Sequence, residues 1–181
     1  MDNPRLVCLV GAECTGKSAL ALALAEHFSG LVVPEYLRQF CEAQGRTPTG
    51  SEQLLILREQ VALQARVLAG ARDRGARYVF CDTSALQTAV YSEHYFADRS
   101  LYGQALAAQQ AYDLTLLLGT DLPWQADGLQ RDGRQTQEKV QSLLVQALTK
   151  VQPVVTIDGV GTARVQAAIE AVNNFAHVSL P

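Results

Sequence analysis

The stretch Gly11-Ala12-Glu13-Cys14-Thr15-Gly16-Lys17-Ser18 decides the fold, because it fits the phosphate-loop pattern G-x-x-x-x-G-K-[ST]. It follows the apolar run 6–10 and precedes the alternating Ala-Leu run 19–24, so the expected context of strand, loop and helix is present. Glycines permit backbone conformations closed to other residues, which lets successive N–H groups converge on phosphate oxygens. We expect Lys17 to reach the β- and γ-phosphates of ATP and the Ser18 hydroxyl to ligate Mg²⁺. The structural alternative is a glycine-rich turn followed by a chance Lys-Ser pair.

Composition restricts the class of protein. The chain has 181 residues, 48% of them hydrophobic and 18% charged, which predicts one globular domain over residues 1–181. The net charge of -3 argues against a nucleic-acid partner and favours small-molecule substrates. The N-terminus lacks the charge order of a signal peptide, no apolar run has the length of a membrane span, and the four cysteines lack metal-like spacing. These features predict a cytoplasmic protein with reduced thiols and no membrane partner.

Apolar runs alternate with helical patterns along the chain, and this alternation predicts an α/β fold with a five-stranded parallel sheet covered on both faces. Right-handed crossovers then bring every strand's carboxyl end to one edge, beside the phosphate loop. The predicted strands are 5–10, 31–35, 77–81, 113–118 and 154–157, and the predicted helices are 17–28, 51–74, 84–95, 100–112, 136–151 and 162–176.

The residues after the second strand form the first candidate site. Glu35, Tyr36 and Arg38 place a carboxylate, an aromatic ring and a guanidinium beside the phosphate loop. A carboxylate there is suited to accept a hydroxyl proton from a phosphate acceptor or to hold a water of the Mg²⁺ shell. The alternative is a surface ion pair between Glu35 and Arg38, which contributes little to stability.

Asp82, at the end of the third strand, is the second candidate. An acid at this position fits the second acidic residue of P-loop enzymes, which faces Mg²⁺ and the loop serine, here Ser18. The alternative is an N-cap for the following helix, supplied by Asp82 or Thr83. Whether Glu35 or Asp82 acts as the general base stays open.

The loop after the fourth strand, about residues 120–135, is predicted to be a lid. It carries the one tryptophan, Trp124, together with two glycines, Arg131 and Arg134. Such a loop can exclude water and neutralise charge on the transferred phosphoryl group. The alternative is a solvated loop attached to the surface through Trp124. Tyr95 is a further candidate that would close the acceptor pocket.

Four segments together resemble a known family: the phosphate loop, then Pro-Glu-Tyr-Leu-Arg-Gln-Phe, then Cys-Asp-Thr-Ser, then Asp-Leu-Pro-Trp-Gln-Ala-Asp-Gly-Leu. The chain is similar to the ribosylnicotinamide kinase domain of NAD-salvage proteins and to their free-standing P-loop relatives. The resemblance implies a nucleoside/nucleotide-kinase-like three-layer sandwich with strand order 2-3-1-4-5. It also implies transfer of the ATP γ-phosphate to the 5′-hydroxyl of nicotinamide riboside. Tyr36, Tyr95 and Trp124 would stack on the cationic ring, and Asp82 or Asp127 would bind ribose hydroxyls or favour the positive charge.

Three departures from the family pattern concern the acceptor. Pro34 replaces an aromatic residue, Ser84 replaces an acid, and Gln130 replaces an arginine, although Arg131 follows at once. A kinase for another nucleoside or ribosyl compound, or a regulatory P-loop ATPase switch, is therefore an alternative. Dependence of ATP turnover on an added nucleoside distinguishes a kinase from a switch.

Overall fold

A five-stranded parallel β-sheet organises the chain in this computed structural model, which describes residues 3–124, 133–151 and 153–178. The strand order is β2-β3-β1-β4-β5, so the predicted order is confirmed. The bounds agree closely with the sequence prediction, and β1 and β5 match it at both ends. The strands are β1 Arg5–Val10, β2 Leu31–Val33, β3 Tyr78–Asp82, β4 Leu114–Leu118 and β5 Val154–Ile157.

The described part of the chain contains seven α-helices, and the sequence predicts six of them. The helix that the sequence does not predict, α2, begins directly after Glu35 and includes the candidate site residues Tyr36 and Arg38. Its apolar residues Leu37, Phe40 and Cys41 have helical spacing, and Gly45 ends it in the left-handed conformation, so the signal was present. The helices are α1 Lys17–Phe28, α2 Tyr36–Gln44, α3 Gln53–Asp73, α4 Ala85–Phe96, α5 Tyr102–Gln109, α6 Gly133–Leu148 and α7 Gly161–Val178. Within the described ranges, no helix combines the length and apolarity needed to cross a bilayer.

Both faces of the sheet are buried, which completes the predicted three-layer sandwich. In β1, Leu6, Cys8 and Val10 contact the core under α3 to α6, whereas Val7 and Leu9 contact the core under α1 and α7. This alternation follows from the two-residue period of a strand, and the uninterrupted apolar run follows from burial on both sides.

A capping box precedes α3. The side chains and backbone N–H groups of Thr49 and Glu52 form reciprocal hydrogen bonds across the 3₁₀ turn Gly50–Glu52. The two guanidinium nitrogens Nη1 and Nη2 of Arg46 each donate to one Glu52 carboxylate oxygen at 2.7 Å. The Arg46 guanidinium, followed by the Thr49 backbone and hydroxyl, lowers the pKa of Glu52 to about 2. The pair is solvent-exposed, so its contribution to stability is small and sensitive to salt.

Candidate nucleotide and acceptor site

The phosphate loop lies between β1 and α1, as predicted. Gly16 is the N-cap of α1 with φ of 80°, a left-handed conformation that favours glycine. Gly11 is required for a different reason, because a Cβ there would lie 2.8 Å from the Thr15 hydroxyl oxygen and 3.1 Å from the Leu118 carbonyl oxygen. Both glycines of the motif are therefore explained by the backbone path.

Lys17 lies largely buried at the loop, with 8% of its surface exposed. Its ammonium donates hydrogen bonds to the carbonyl oxygens of Gly11 at 2.9 Å and Ala12 at 3.0 Å. The Ala12 carbonyl also accepts from the Thr15 hydroxyl at 2.8 Å. The lysine is therefore held beside the phosphate site by the loop's own backbone.

Glutamine side chains from distant helices support the loop from behind, and sequence reasoning missed them. From α6, Gln141 accepts from the Ala12 N–H at 2.9 Å and Gln137 donates to the Glu13 carbonyl at 2.8 Å. Gln87 of α4 accepts from the Gly11 N–H at 3.4 Å. These side chains satisfy backbone groups that would otherwise be buried without partners.

Arg164 near the start of α7 is a second feature that sequence reasoning missed. Its side chain is 5% exposed and forms an ion pair with Asp121, after β4. The guanidinium also donates to the carbonyl oxygens of Thr15, of Gly119 at 2.9 Å and of Gly159 at 2.7 Å. One side chain thus connects the phosphate loop with the loops that follow β4 and β5.

A cavity of about 820 Å³ extends from the phosphate loop to α2. It brings together Lys17, Ser18, Glu35 and Asp82, as expected from the carboxyl edge of a parallel sheet. One face of α2 contributes positions at helical spacing, beginning with the helix N-cap Glu35. The lining residues are Glu13, Cys14, Gly16, Lys17, Ser18, Ala19, Leu22, Val32, Pro34, Glu35, Arg38, Gln39, Glu42, Asp82, Tyr91, Leu122 and Pro123.

Asp82 is buried at the end of β3, with 5% of its surface exposed. Its Oδ1 atom has no hydrogen-bond partner within the part of the chain that the structure describes. The N-cap of α4 is Ser84, so the capping role considered for Asp82 or Thr83 is wrong. This carboxylate oxygen is buried on the wall of the cavity and makes no hydrogen bond that would explain its presence there. A ligand that binds in the cavity would explain it.

Ser18 and Asp82 fit the Mg²⁺ site proposed for this position. Both line the cavity, and the unpartnered Oδ1 of Asp82 supplies a hard oxygen ligand. No group of three or more His, Cys, Asp and Glu side chains able to hold a metal occurs among the described residues. Mg²⁺ usually takes one or two protein ligands together with substrate phosphates, so Ser18 and Asp82 would be enough to hold it.

Tyr91, rather than the predicted Tyr95, lies on the cavity wall. Tyr91 is 7% exposed and accepts a hydrogen bond from the Gln87 side chain at 3.0 Å. Burial raises the pKa of Tyr91 well above its usual range, and the nearby Glu35 and Glu13 carboxylates add to the shift, so the phenol keeps its proton. The Tyr95 ring is 46% exposed and lies 6.1 Å from the Tyr91 ring.

The remaining predicted residues are placed less directly. Tyr36 begins α2 with its N–H bonded to the Gln60 side chain at 2.7 Å, but it is not among the residues that line the cavity. Trp124 is half-buried and follows the lining residues 122–123. Arg134 is exposed and pairs with Glu138 at 3.2 Å along α6. Asp127 and Arg131 lie outside the described residues.

Comparison with known proteins agrees with this geometry. A family model described as an AAA domain matches residues 6–164. The trifunctional NAD biosynthesis/regulator proteins NadR of Salmonella typhimurium and Escherichia coli K12 are each 30% identical over 149 residues. Each match covers 80% of this chain and 35% of the relative, so the chain spans about a third of the length of these curated relatives.

Solved structures show the same fold. The alignment with a NadR structure in complex with NR covers 99% of this chain and 51% of the NadR chain, with 20% identity and a TM-score of 0.80. The alignment with a thymidylate kinase structure from Ehrlichia chaffeensis covers 95% of this chain and 100% of the kinase chain, with 16% identity and a TM-score of 0.68. The resemblance to NAD-salvage proteins is confirmed by the NadR relatives. Because the AAA domain model spans most of the sequence, the chain belongs to the AAA domain family that this model describes.

Proposed function

We propose that this chain is an ATP-dependent kinase that transfers the γ-phosphate of ATP to the 5′-hydroxyl of nicotinamide riboside. The observation that carries the proposal is that one cavity joins Lys17 and Ser18 to Glu35 and Asp82. Phosphoryl transfer requires the donor phosphate and the acceptor hydroxyl in one space, close to a proton acceptor and to cations. The similarity to NadR, of which one solved structure is a complex with NR, supports the choice of acceptor.

The charge of the cavity wall favours a cationic acceptor. Bound triphosphate would occupy the lysine and the metal position, which leaves the acceptor half dominated by carboxylates. Nicotinamide riboside carries a positive pyridinium ring, whereas the common nucleosides are neutral. The charged wall residues are the acids Glu13, Glu35, Glu42 and Asp82 and the cations Lys17 and Arg38.

Glu35 is the proposed proton acceptor. It lies half-buried at the N-cap of α2, close enough to the buried Tyr91 hydroxyl to influence its pKa. As the 5′-hydroxyl oxygen bonds to the γ-phosphorus and the bond to the β-phosphate oxygen breaks, the hydroxyl proton passes to the Glu35 carboxylate and ADP leaves. Asp82 remains the alternative base, and in the preferred assignment it serves the metal.

Lys17 and the metal ligands act on the phosphates. We expect the Lys17 ammonium to exchange its bonds to the Gly11 and Ala12 carbonyls for bonds to the β- and γ-phosphates. Mg²⁺, held by the Ser18 hydroxyl and Asp82, would neutralise charge on the phosphate oxygens. The chain's own contribution is to present these ligands and the loop N–H groups in a preorganised geometry.

The lid is part of the same proposal. Residues 1–181 form one domain in which the loop of about 120–135 closes over the triphosphate with Arg131 and Arg134. Closure costs Arg134 only its exposed pair with Glu138, and such pairs contribute about 0.3–0.5 kcal/mol. Trp124 is the candidate to stack on the nicotinamide ring, because it follows two residues of the cavity wall. Roles for Tyr36, Tyr95 and Asp127 in acceptor binding stay predictions, as does the cytoplasmic location.

A second candidate function is phosphorylation of another nucleoside. Pro34 lines the cavity where the family resemblance places an aromatic residue, which removes one stacking surface for a pyridinium. This observation leaves the phosphate chemistry unchanged and bears only on the acceptor.

One assay separates these functions. ATP consumption is measured with nicotinamide riboside, with its uncharged dihydro form as a matched neutral acceptor, with the common nucleosides, and with no acceptor. We expect turnover to depend on nicotinamide riboside and to fall with the dihydro form. Preference for a neutral nucleoside would support the second candidate, and equal turnover without any acceptor would support a regulatory ATPase.

A further inference from the structure

We propose that Arg164 is a positioning residue that orients the Gly16 N–H toward the phosphates of ATP. The inference rests on the proposed function only in requiring that the loop binds a triphosphate. It assigns a role in phosphate binding to a side chain that lies behind the loop and outside the residues lining the cavity.

The contacts of Arg164 are with three backbone carbonyls and one carboxylate. Its Nη1 donates to the Thr15 carbonyl, its Nε to Gly159 and its Nη2 to Gly119 and to the Asp121 carboxylate. The residue is 4% exposed, so its charge is desolvated and needs these acceptors. A planar guanidinium with five donors can serve such divergent acceptors at once, whereas a lysine ammonium cannot match the geometry.

The carbonyl bond determines where the next N–H points. In a trans peptide the C=O and the following N–H lie in one plane and point in opposite directions. When Arg164 holds the Thr15 carbonyl away from the cavity, the Gly16 N–H must point back toward it. Burial agrees with this orientation, because Thr15 is 0% exposed whereas Gly16 and Lys17 line the cavity.

A second peptide plane of the loop is held in the same way. Gln137 of α6 donates to the Glu13 carbonyl at 2.8 Å, which directs the Cys14 N–H opposite to that carbonyl. Gln137 is 2% exposed, so it too acts from the protein interior. Alternate peptide planes of the loop are therefore oriented from α6 and α7, on either face of the sheet.

Calorimetric titration of the folded chain with ATP, with inorganic tripolyphosphate and with nicotinamide riboside tests the inference. For Arg164→Lys we expect binding of ATP and of tripolyphosphate to weaken by the same factor, about 10-fold, because a charge-assisted hydrogen bond is lost. Affinity for nicotinamide riboside should not change. The matched control is Arg66→Lys on the exposed part of α3, which should bind all three ligands like the unmodified chain.

A merely structural role predicts a lower melting temperature with unchanged affinities of the folded protein, and that result would overturn the inference. If Arg164→Lys does not fold, Arg164→Met decides, because it removes the buried charge together with every donor, and Arg66→Met is its control. Equal triphosphate affinity for Arg164→Met and its control would then refute the inference. Triphosphate binding that weakens as expected, without phosphorylation of any acceptor, would support the inference while refuting the proposed kinase.

Discussion

Asp82→Asn should make the protein more stable and nearly inactive. The carboxylate is 5% exposed, and its Oδ1 has no hydrogen-bond partner among the residues described. A buried carboxylate oxygen without a hydrogen-bond partner destabilises the fold, which fits a side chain that pairs with a ligand. Asparagine keeps the shape of the side chain and removes the charge.

The two effects have opposite signs and different sizes. Replacing the buried carboxylate, whose Oδ1 lacks a hydrogen-bond partner, with a neutral amide should stabilise the fold by about 1 kcal/mol. This corresponds to about 2–4 °C in melting temperature for a chain of this size. Loss of the proposed metal ligand should lower kcat by about 10²–10³, or about 3–4 kcal/mol of transition-state stabilisation.

Thermal unfolding and turnover across a Mg²⁺ titration measure both effects. Asp113→Asn is the matched control, because Asp113 precedes β4 at the opposite edge of the sheet and accepts the Leu6 N–H at 2.6 Å. The control should lose about 1 kcal/mol of stability and keep its activity. Normal kcat for Asp82→Asn at every Mg²⁺ concentration would refute the metal role, and destabilisation like that of the control would show that Oδ1 has a structural partner.

Lys17→Met should lower kcat by at least about 10² in an ATP turnover assay, because the Lys17 ammonium is lost from the β- and γ-phosphates. Its melting temperature should fall by about 2–8 °C, since the Gly11 carbonyl loses its partner, and unchanged stability would contradict the observed backbone contacts. Glu35→Gln should lower kcat by about 10²–10⁴ while the Kd for ATP stays unchanged, and retained kcat would transfer the role of base to Asp82. Replacing Arg131 and Arg134 together with alanine should reduce kcat more than ATP affinity, whereas equal kcat would leave the loop without a catalytic role. The depressed pKa of Glu52 contributes stability above pH 4.5 that is lost as the pH falls toward 2, so Glu52→Gln should flatten acid unfolding in that window, as followed by circular dichroism; an unchanged acid transition would contradict the Arg46 pairing.

Much of the site's location was predictable from local pattern. The two ends of the phosphate loop are recognisable in the sequence, because the backbone has no space for a Cβ at Gly11 and takes a left-handed conformation at Gly16. Helix α1 then begins at the predicted Lys17. Glu35 and Asp82 converge because parallel strands place their carboxyl ends at one edge. That argument needs only the order of strands and crossovers, which hydrophobic runs reveal.

The sequence by itself determined the strand-loop-helix at the phosphate site, the parallel sheet and the edge at which the acids meet. Only the tertiary structure decided that Tyr91 lies on the cavity wall, because Tyr91 and Tyr95 are one helical turn apart and the packing of α4 selects between them. It also decided that Arg164 bonds Thr15, a residue 149 positions away. Every residue has a backbone carbonyl, so the sequence does not indicate which distant side chain will donate a hydrogen bond to a given carbonyl. Such partners are determined only by how the helices pack.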